Sequence, residues 1–224
     1  MSLLQITKTF FFIIISFISY SCDKGEIYPW NEDSLNNILD QNLDKMILVD
    51  FETEWWTWCD RLDSDTFTNK KIIEFAKNNL ISIKIDAEKG TGPEQKIKYR
   101  VRGYPTILLL DSLGNEIDRI VGYRPPEEFL KELTRIKNGK NTLSDLQSKI
   151  AKNSDDISLQ FDLAKKYIDL NVSDSAKKYL DTVNKYYSDN NEYFFQNLFK
   201  LSQLYNQVGF SEISIELLDQ IIDL

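Results

Sequence analysis

The sequence predicts an α/β sandwich built around one mixed sheet, followed by a domain made only of helices. Two patterns predict this architecture. Between residues 35 and 138, short apolar runs suited to strands alternate with amphipathic segments suited to helices. Beyond Gly139 the apolar residues recur only at helical spacing, without any run typical of a strand. A chain of 224 residues is long enough for two domains that each bury a core of their own.

The first predicted domain, 35–138, has eight recognisable elements. In chain order they are a helix over 35–43, a strand over 46–51, a helix around 72–76, a strand over 80–85, a helix over 94–99, strands over 106–110 and 117–121, and a helix over 127–136. Pro125-Pro126 starts the closing helix and Gly139 ends it. Strands that alternate with helices and then form a hairpin indicate a sandwich around a mixed sheet.

The second predicted domain, 144–224, follows a linker at 139–143 and contains a repeat. Five positions recur at a constant offset of 38 residues: Leu163, Ala164, Tyr167, Ala176 and Leu180 match Leu201, Ser202, Tyr205, Ser214 and Leu218. Small residues let paired helices approach, while Leu and Tyr fill the space between them. The order resembles the tetratricopeptide repeat. The alternative is an ordinary helical bundle.

Residues 1–22 have the features of a bacterial export signal. Lys8 gives a positive start, 10–18 is mainly apolar, and Ser19 and Ser21 precede Cys22. The apolar run is too short to span a bilayer, which needs roughly 20 residues. The end of the segment resembles the lipobox of lipoproteins, which implies a lipid on Cys22 and membrane attachment. An ordinary cleaved signal or an N-terminal anchor is the alternative, and 23–34 is predicted to be a tether.

Composition excludes several classes of function. The chain has 27 basic and 35 acidic residues, a net charge of −8, and no histidine. This balance argues against a nucleic-acid partner, because phosphate binding requires clustered Lys and Arg. Without histidine, Ser-His-Asp and Cys-His catalysis and imidazole metal ligation are impossible. With Cys22 acylated, Cys59 is the only free thiol.

We predict no metal site and no cofactor. Four acidic residues, Asp63, Asp65, Asp86 and Glu88, fit no dedicated cation loop and are interpreted as solvated acidic faces. The glycines at 90–92 lack the Gly-Lys-Ser/Thr ending of a phosphate loop.

Segment 50–59 contains the candidate reactive residues. It reads DFETEWWTWC and joins a buried strand to a helix. It resembles the thioredoxin superfamily pattern Asp-Phe-x-Ala-x-Trp-Cys-x-x-Cys, with Asp50, Phe51 and Trp55 at matching positions. Residues 101–106, VRGYPT, resemble the loop whose proline is cis and faces the active site in that family, and Gly122 falls near a family glycine. The resemblance spans about residues 35–136 and implies the thioredoxin-like three-layer fold.

The sequence departs from the family at the first cysteine, where it has Trp56. An indole cannot attack a disulfide, so the usual two-thiol cycle has no starting nucleophile. Cys59 takes the place of the resolving cysteine, which the family shields inside the helix. By the same resemblance, Asp50 is its proton acceptor. A thiol beside a buried acid is expected to have a raised pKa and slow reactivity.

Three tryptophans, Trp55, Trp56 and Trp58, are predicted to form an aromatic ledge beside Pro105. One interpretation is a peptide-binding surface, with the substrate backbone paired along the loop at Tyr104. The other is that Trp55 packs as in the family and Trp56 fills the vacated space.

Three functions remain open. The first is a non-enzymatic module that holds client proteins or peptides at the cell envelope. Its architecture resembles the chaperedoxins, which join a thioredoxin-like domain lacking the first cysteine to tetratricopeptide-like helices. The second is a monothiol protein thiol-disulfide oxidoreductase or isomerase that uses Cys59. The third is an adaptor that binds partners through its helices. The sequence does not indicate an oligomeric state.

Overall fold

The computed structural model describes residues 26–41, 44–190 and 194–222. The predicted export signal and Cys22 lie outside these residues. Among the helices of the described ranges, none combines the length and the apolar character needed to cross a bilayer.

A four-stranded mixed sheet forms the centre of the first domain, with the strand order β2-β1-β3-β4. The strands are β1 (Met46–Glu52), β2 (Leu80–Asp86), β3 (Thr106–Leu110) and β4 (Glu116–Val121). The central strand β1 is parallel to β2 and antiparallel to β3, and β3 forms an antiparallel hairpin with β4. The predicted mixed sheet is confirmed.

Helices cover both faces of this sheet. They are α1 (Leu35–Asp40), α2 (Thr57–Arg61), α3 (Lys70–Asn79), α4 (Gly92–Lys98) and α5 (Pro126–Lys137), and a π-helical turn over Leu62–Thr66 continues α2. The apolar side chains of α3 and α5 pack on one face of the sheet against Leu48 and Leu109. Those of α1 pack on the other face with Val49 and Leu108. Because successive strand residues point to opposite faces, β1 supplies both cores.

The second domain is wholly helical in its described residues. Its helices are α6 (Leu143–Lys152), α7 (Ile157–Asp169), α8 (Ser173–Asp189), α9 (Phe194–Gln207) and α10 (Ser211–Ile222). The core includes Ala164, Ala176 and Leu180 of the first predicted copy, and Leu201 and Tyr205 of the second. An all-α domain is therefore confirmed, and its kinship to tetratricopeptide repeats stays a prediction.

Polar contacts join the two domains. The buried carboxylate of Asp118 on β4 accepts hydrogen bonds from Lys166 Nζ on α7, at 2.8 and 3.0 Å, and from Arg135 Nη2 at 2.9 Å. In the turn between α7 and α8, Asn171 Nδ2 donates to the Arg100 carbonyl at 2.9 Å, and Arg100 Nε donates to the Leu170 carbonyl at 3.2 Å. Arg100 lies directly before the 101–106 loop, so the helical domain holds the start of that loop.

Part of the predicted tether is docked on the sheet. Trp30 forms a parallel bridge with Ser82 at the edge of β2, and Asn31 N donates to the Ser82 carbonyl at 2.7 Å. Tyr28 is buried, with its hydroxyl 3.0 Å from Ser82 Oγ and its ring 4.7 Å from that of Phe67. From Tyr28 onward the segment 23–34 is therefore not a free linker, because its aromatic rings extend the core and cover an exposed strand edge.

Candidate functional site

The first turn of α2 positions both Trp56 and Cys59. Trp56 is the N-cap of the helix, with an extended backbone at φ −97° and ψ 106°. Its carbonyl accepts a hydrogen bond from Cys59 N at 2.8 Å, which closes the turn. Three residues of helix turn the Cys59 side chain inward, where it is only 3% exposed. The structure thus places an indole at the helix terminus and the single thiol behind it.

The environment of Cys59 disfavours a thiolate. Burial raises the pKa of the thiol to about 11, and the carboxylates of Asp50 and Glu52 act in the same direction. A backbone hydrogen bond from Thr53 and the charge of Lys84 oppose this rise without cancelling it. Because the thiolate is the nucleophile in disulfide exchange, Cys59 is a slow nucleophile at neutral pH.

A charged cluster lies at the carboxyl end of β1 and β2. Lys84 Nζ donates to Glu52 Oε2 at 2.5 Å and to both carboxylate oxygens of Asp63 at 2.6 Å, and lies 3.7 Å from Asp50 Oδ2. Burial raises the pKa of Asp50 to about 8, although Lys84 pulls it down. Asp50 Oδ1 has no hydrogen-bond partner in the described part of the chain. Burial therefore favours the protonated form of Asp50, which weakens it as a proton acceptor.

The acidic residues were assigned to solvated faces, and the structure gives each of the four a partner. Asp63 belongs to the charged cluster, and Asp65 accepts a hydrogen bond from the Tyr123 hydroxyl. Asp86 pairs with Lys89 at 3.2 Å, and Glu88 accepts from Trp55 Nε1 at 3.0 Å. Asp63 is partly exposed, as expected of an acidic face, and the π-helical turn also brings it back over β2, where it pairs with Lys84.

Sequence reasoning missed Lys84. Carboxylate oxygens of Asp50, Glu52 and Asp63 lie within 4.8 Å of one another, an arrangement able to hold a cation, and the Lys84 ammonium supplies that positive charge. The available signal was a lone lysine within the apolar strand 80–85. Such a residue needs buried partners of opposite charge.

An exposed aromatic surface lies on the outer side of α2. Trp55, Trp56 and Trp58 are 60%, 38% and 44% exposed. The Trp55 and Trp56 rings meet edge to face with their centres 5.4 Å apart, and the centres of the Trp58 and Tyr123 rings are 5.7 Å apart. Sequence reasoning also missed Tyr123. We call these four residues the aromatic surface. Trp55 is thus largely exposed, and the choice between a peptide-binding surface and family-like packing stays a prediction.

The loop at Tyr104 contributes backbone to the site. The Tyr104–Pro105 peptide bond is cis, and the Pro105 carbonyl accepts a hydrogen bond from Gly122 N at 2.8 Å. Gly122 has φ 77°, a conformation that favours glycine. The Tyr104 ring packs against the core on the α1 side of the sheet, so the loop offers main-chain groups rather than this ring. Within the described ranges, the N–H groups of residues 102–104 form no hydrogen bond.

Comparison with known proteins assigns the first domain to a family. Residues 34–137, a little under half of the chain, match the model of the family described as a thioredoxin-like domain. These residues therefore form a thioredoxin-like domain, and the fold predicted from segments 50–59 and 101–106 is confirmed.

The similar curated proteins share only this part of the chain. The thiol:disulfide interchange protein DsbD of Photorhabdus laumondii is 30% identical over 123 residues, which cover 52% of this chain and 20% of that protein. DsbD of Yersinia pestis is 30% identical over 106 residues, covering 46% of this chain and 18% of the relative. This chain thus spans about a fifth of the length of the curated relatives it matches.

A solved structure of a disulphide-isomerase candidate from Bacteroides thetaiotaomicron is also similar. It shares 30% sequence identity, and the match covers 50% of this chain and 95% of that one, with a TM-score of 0.46.

Proposed function

We propose that this protein is a client-binding module with weak or no redox turnover. The observation that carries the proposal is the position of Trp56 at the N-cap of α2, with the one thiol of the site buried behind it. A dithiol enzyme needs a reactive sulfur at that helix terminus, where the helix dipole and free N–H groups stabilise a thiolate. Here that position holds an indole.

The aromatic surface is the proposed contact for clients. Exposed tryptophans combine a large apolar area with few rotatable bonds, so they bind partners at a low entropy cost. The unpaired N–H groups of residues 102–104 are available to an extended peptide, as when a strand is added to a sheet. Together these groups favour an extended, partly apolar polypeptide segment as the client.

Suppression of aggregation of a thermally unfolded model enzyme tests the proposal. We expect the wild type and Cys59→Ser to suppress aggregation equally, and a variant with Trp55→Ser and Trp58→Ser to lose most of the effect. Phe199→Ser in the helical domain is the control, because it removes an equally exposed aromatic ring elsewhere. Loss of client binding in Cys59→Ser would refute the proposal.

A monothiol enzyme is the second candidate, and the similarity to thiol:disulfide interchange proteins favours it. In this case the Cys59 thiolate would attack a client disulfide, form a mixed disulfide and release a client thiolate. A third thiol, such as glutathione, would then release Cys59. Insulin reduction in the presence of glutathione that is abolished by Cys59→Ser would establish this activity.

An adaptor role of the helical domain is the third candidate. Phe199 and Ile215 are exposed there, on α9 and α10. A pull-down that loses its partners with Phe199→Ser and Ile215→Ser, but keeps them when the aromatic surface is altered, would identify this role.

We further propose that the protein is anchored at the cell envelope by a lipid on Cys22. The positive, apolar and small-residue segments of 1–22 support this location. Intact mass spectrometry of protein purified from membranes is expected to show acylation and the loss of residues 1–21. Cys22→Ser is the matched control, and an unmodified Cys22 in the membrane fraction would contradict lipid anchoring.

A further inference from the structure

Two aromatic pairs flank the start of α2, and one of them already holds a cation. The Arg61 guanidinium lies 4.7 Å from the centre of the Tyr123 ring and 5.4 Å from that of Trp58. The Tyr123 hydroxyl donates a hydrogen bond to the Asp65 carboxylate. The chain therefore shows, with its own side chain, that two rings on this surface accept a guanidinium, next to a carboxylate that accepts a hydrogen bond from one of them.

The second pair has the same components without the cation. The rings of Trp55 and Trp56 are 5.4 Å apart, and the Glu88 carboxylate accepts a hydrogen bond from Trp55 Nε1 at 3.0 Å. Across the described residues, no Lys or Arg lies over the Trp55 or Trp56 ring. Both rings and Glu88 are exposed, so this pair is open to another molecule.

The charge around the second pair favours a cation. Glu54 precedes Trp55 in the chain and Glu88 accepts the hydrogen bond of its indole. Among the described residues, Lys89 pairs with Glu54 and Asp86 and leaves Glu88 to the indole. Three carboxylates against one ammonium leave a net negative charge. The whole chain, at −8, adds to the same sign.

We propose that Trp55, Trp56 and Glu88 form a binding site for a basic side chain of the client polypeptide, with arginine preferred over lysine. This inference rests on the proposed client-binding function and specifies its substrate class: extended segments that carry arginine among apolar residues. Arginine is preferred because its planar guanidinium stacks on an indole while it donates hydrogen bonds to a carboxylate. The site selects clients by charge, and the aromatic surface as a whole supplies apolar contact.

Binding of matched peptides to the full-length protein tests the inference. The probes are a short apolar peptide that carries arginine and its twin with citrulline, which keeps the planar shape of arginine but replaces the charged guanidinium by a neutral urea with fewer N–H donors. Titration calorimetry at low salt is expected to show about tenfold tighter binding of the arginine peptide, the sum of a cation–π contact and an exposed ion pair. The ratio should fall in high salt because screening weakens exposed charges.

Single substitutions test which residues cause the preference for the arginine peptide. Glu88→Gln keeps an acceptor for Trp55 Nε1 but removes the charge, so the arginine-to-citrulline ratio should fall about threefold or more. Trp56→Leu should lower it by a similar factor through the lost ring. Glu212→Gln on α10 is the control, because it changes the net charge equally in the other domain and should leave the ratio unchanged.

The outcomes separate this inference from the proposed function. Equal binding of the two peptides would overturn the charge-selective site and leave the client-binding function standing. Binding of neither peptide, together with no suppression of aggregation, would overturn the client-binding function itself. Self-association of the protein that disappears in Glu88→Gln would also overturn the inference, because a second copy would then be the occupant.

Discussion

The inner and outer sides of α2 differ in almost every property that matters for function. On the inner side the Cys59 thiol is buried, with its pKa raised to about 11, and the Asp50 carboxyl, whose pKa burial raises to about 8, lies in the charged cluster behind it. On the outer side three tryptophans are between 38% and 60% exposed. The same short helix therefore buries the Cys59 thiol and exposes the tryptophans.

This difference is what the proposed client-binding function requires. Trp56 at the helix terminus leaves no nucleophile there, while the loop at Pro105 and the strands keep the thioredoxin-like arrangement. The helix that activates a sulfur in a dithiol enzyme here orients indoles toward solvent. Three predictions test this contrast between the two sides of α2, and a fourth tests how the helical domain supports the site.

The largest effect is expected in the labelling of Cys59. At neutral pH each unit of pKa lowers the thiolate fraction tenfold, so a rise from 9.0 to about 11 lowers that fraction about 100-fold and slows the reaction. Burial slows it further. A chromogenic disulfide reagent applied to the Cys22→Ser protein, native and in guanidinium, measures the ratio. Similar labelling rates in the native and the unfolded protein would mean that Cys59 is exposed in the folded state, which would contradict the burial of this thiol.

The buried Asp50 carboxyl, on the inner side of α2, predicts an unusual pH dependence of the free energy of unfolding. The pKa of Asp50 is raised from 3.8 to about 8 in the folded state. Between these values the folded protein binds a proton that the unfolded chain does not, so the free energy of unfolding decreases as the pH rises from 4 to 8 and then levels off. Asp50→Asn should therefore equal the wild type near pH 4 and exceed its stability by about 3 kcal/mol at alkaline pH.

Urea unfolding across this pH range tests the sign. The exposed Asp60→Asn is the control and should change stability by less than about 0.5 kcal/mol throughout. A loss of stability in Asp50→Asn at alkaline pH would mean that its ion pair with Lys84 outweighs the desolvation of the carboxylate.

A cysteine at position 56 would give the site the two thiols of a dithiol enzyme and tests whether the indole blocks redox turnover. Trp56→Cys places a thiol at the N-cap of α2, three residues before Cys59, where the helix terminus favours the thiolate. We expect insulin reduction at least about tenfold above the wild type, with the pair of thiols oxidised to a disulfide. The controls are the single variant Trp56→Ser and the double variant that combines Trp56→Cys with Cys59→Ser. No gain in activity would show that more than the indole blocks turnover.

The smallest effect concerns the support of the site by the helical domain. Lys166→Met removes the ion pair that crosses to the buried Asp118, which keeps Arg135 as its other partner. We expect a loss of about 1–2 kcal/mol and separate unfolding of the two domains in calorimetry. Lys165→Met, on the same helix but paired with Asp162, should have little effect. Equal effects of the two substitutions would argue against this interface.

Local patterns predicted most of the fold. The apolar runs at 46–51, 80–85 and 106–110 became β1, β2 and β3 almost residue for residue, because burial on both faces leaves a strand little choice of composition. Helix ends were less accurate. Within the described residues the first helix ends at Asp40, and the predicted end at residue 43 lies outside them.

The candidate site was only partly predictable. The order of Trp56 and Cys59 in one motif fixed which side chain begins the helix and which lies a turn inside it. The motif could not show that Tyr123 lies beside Trp58 or that Asp63 reaches Lys84, because these residues come from distant segments. It also could not show that Tyr28 and Trp30 close the sheet edge.

By itself, the sequence determined the class of fold, the absence of a dithiol and the presence of three adjacent tryptophans, since each depends on residue type and local spacing. Only the tertiary structure decided which of these groups meets solvent and which is buried, and therefore the raised pKa of Cys59 and Asp50. The physical reason is that desolvation and ion pairing depend on neighbours brought together by folding, and Lys84 is such a neighbour for Asp50, Glu52 and Asp63.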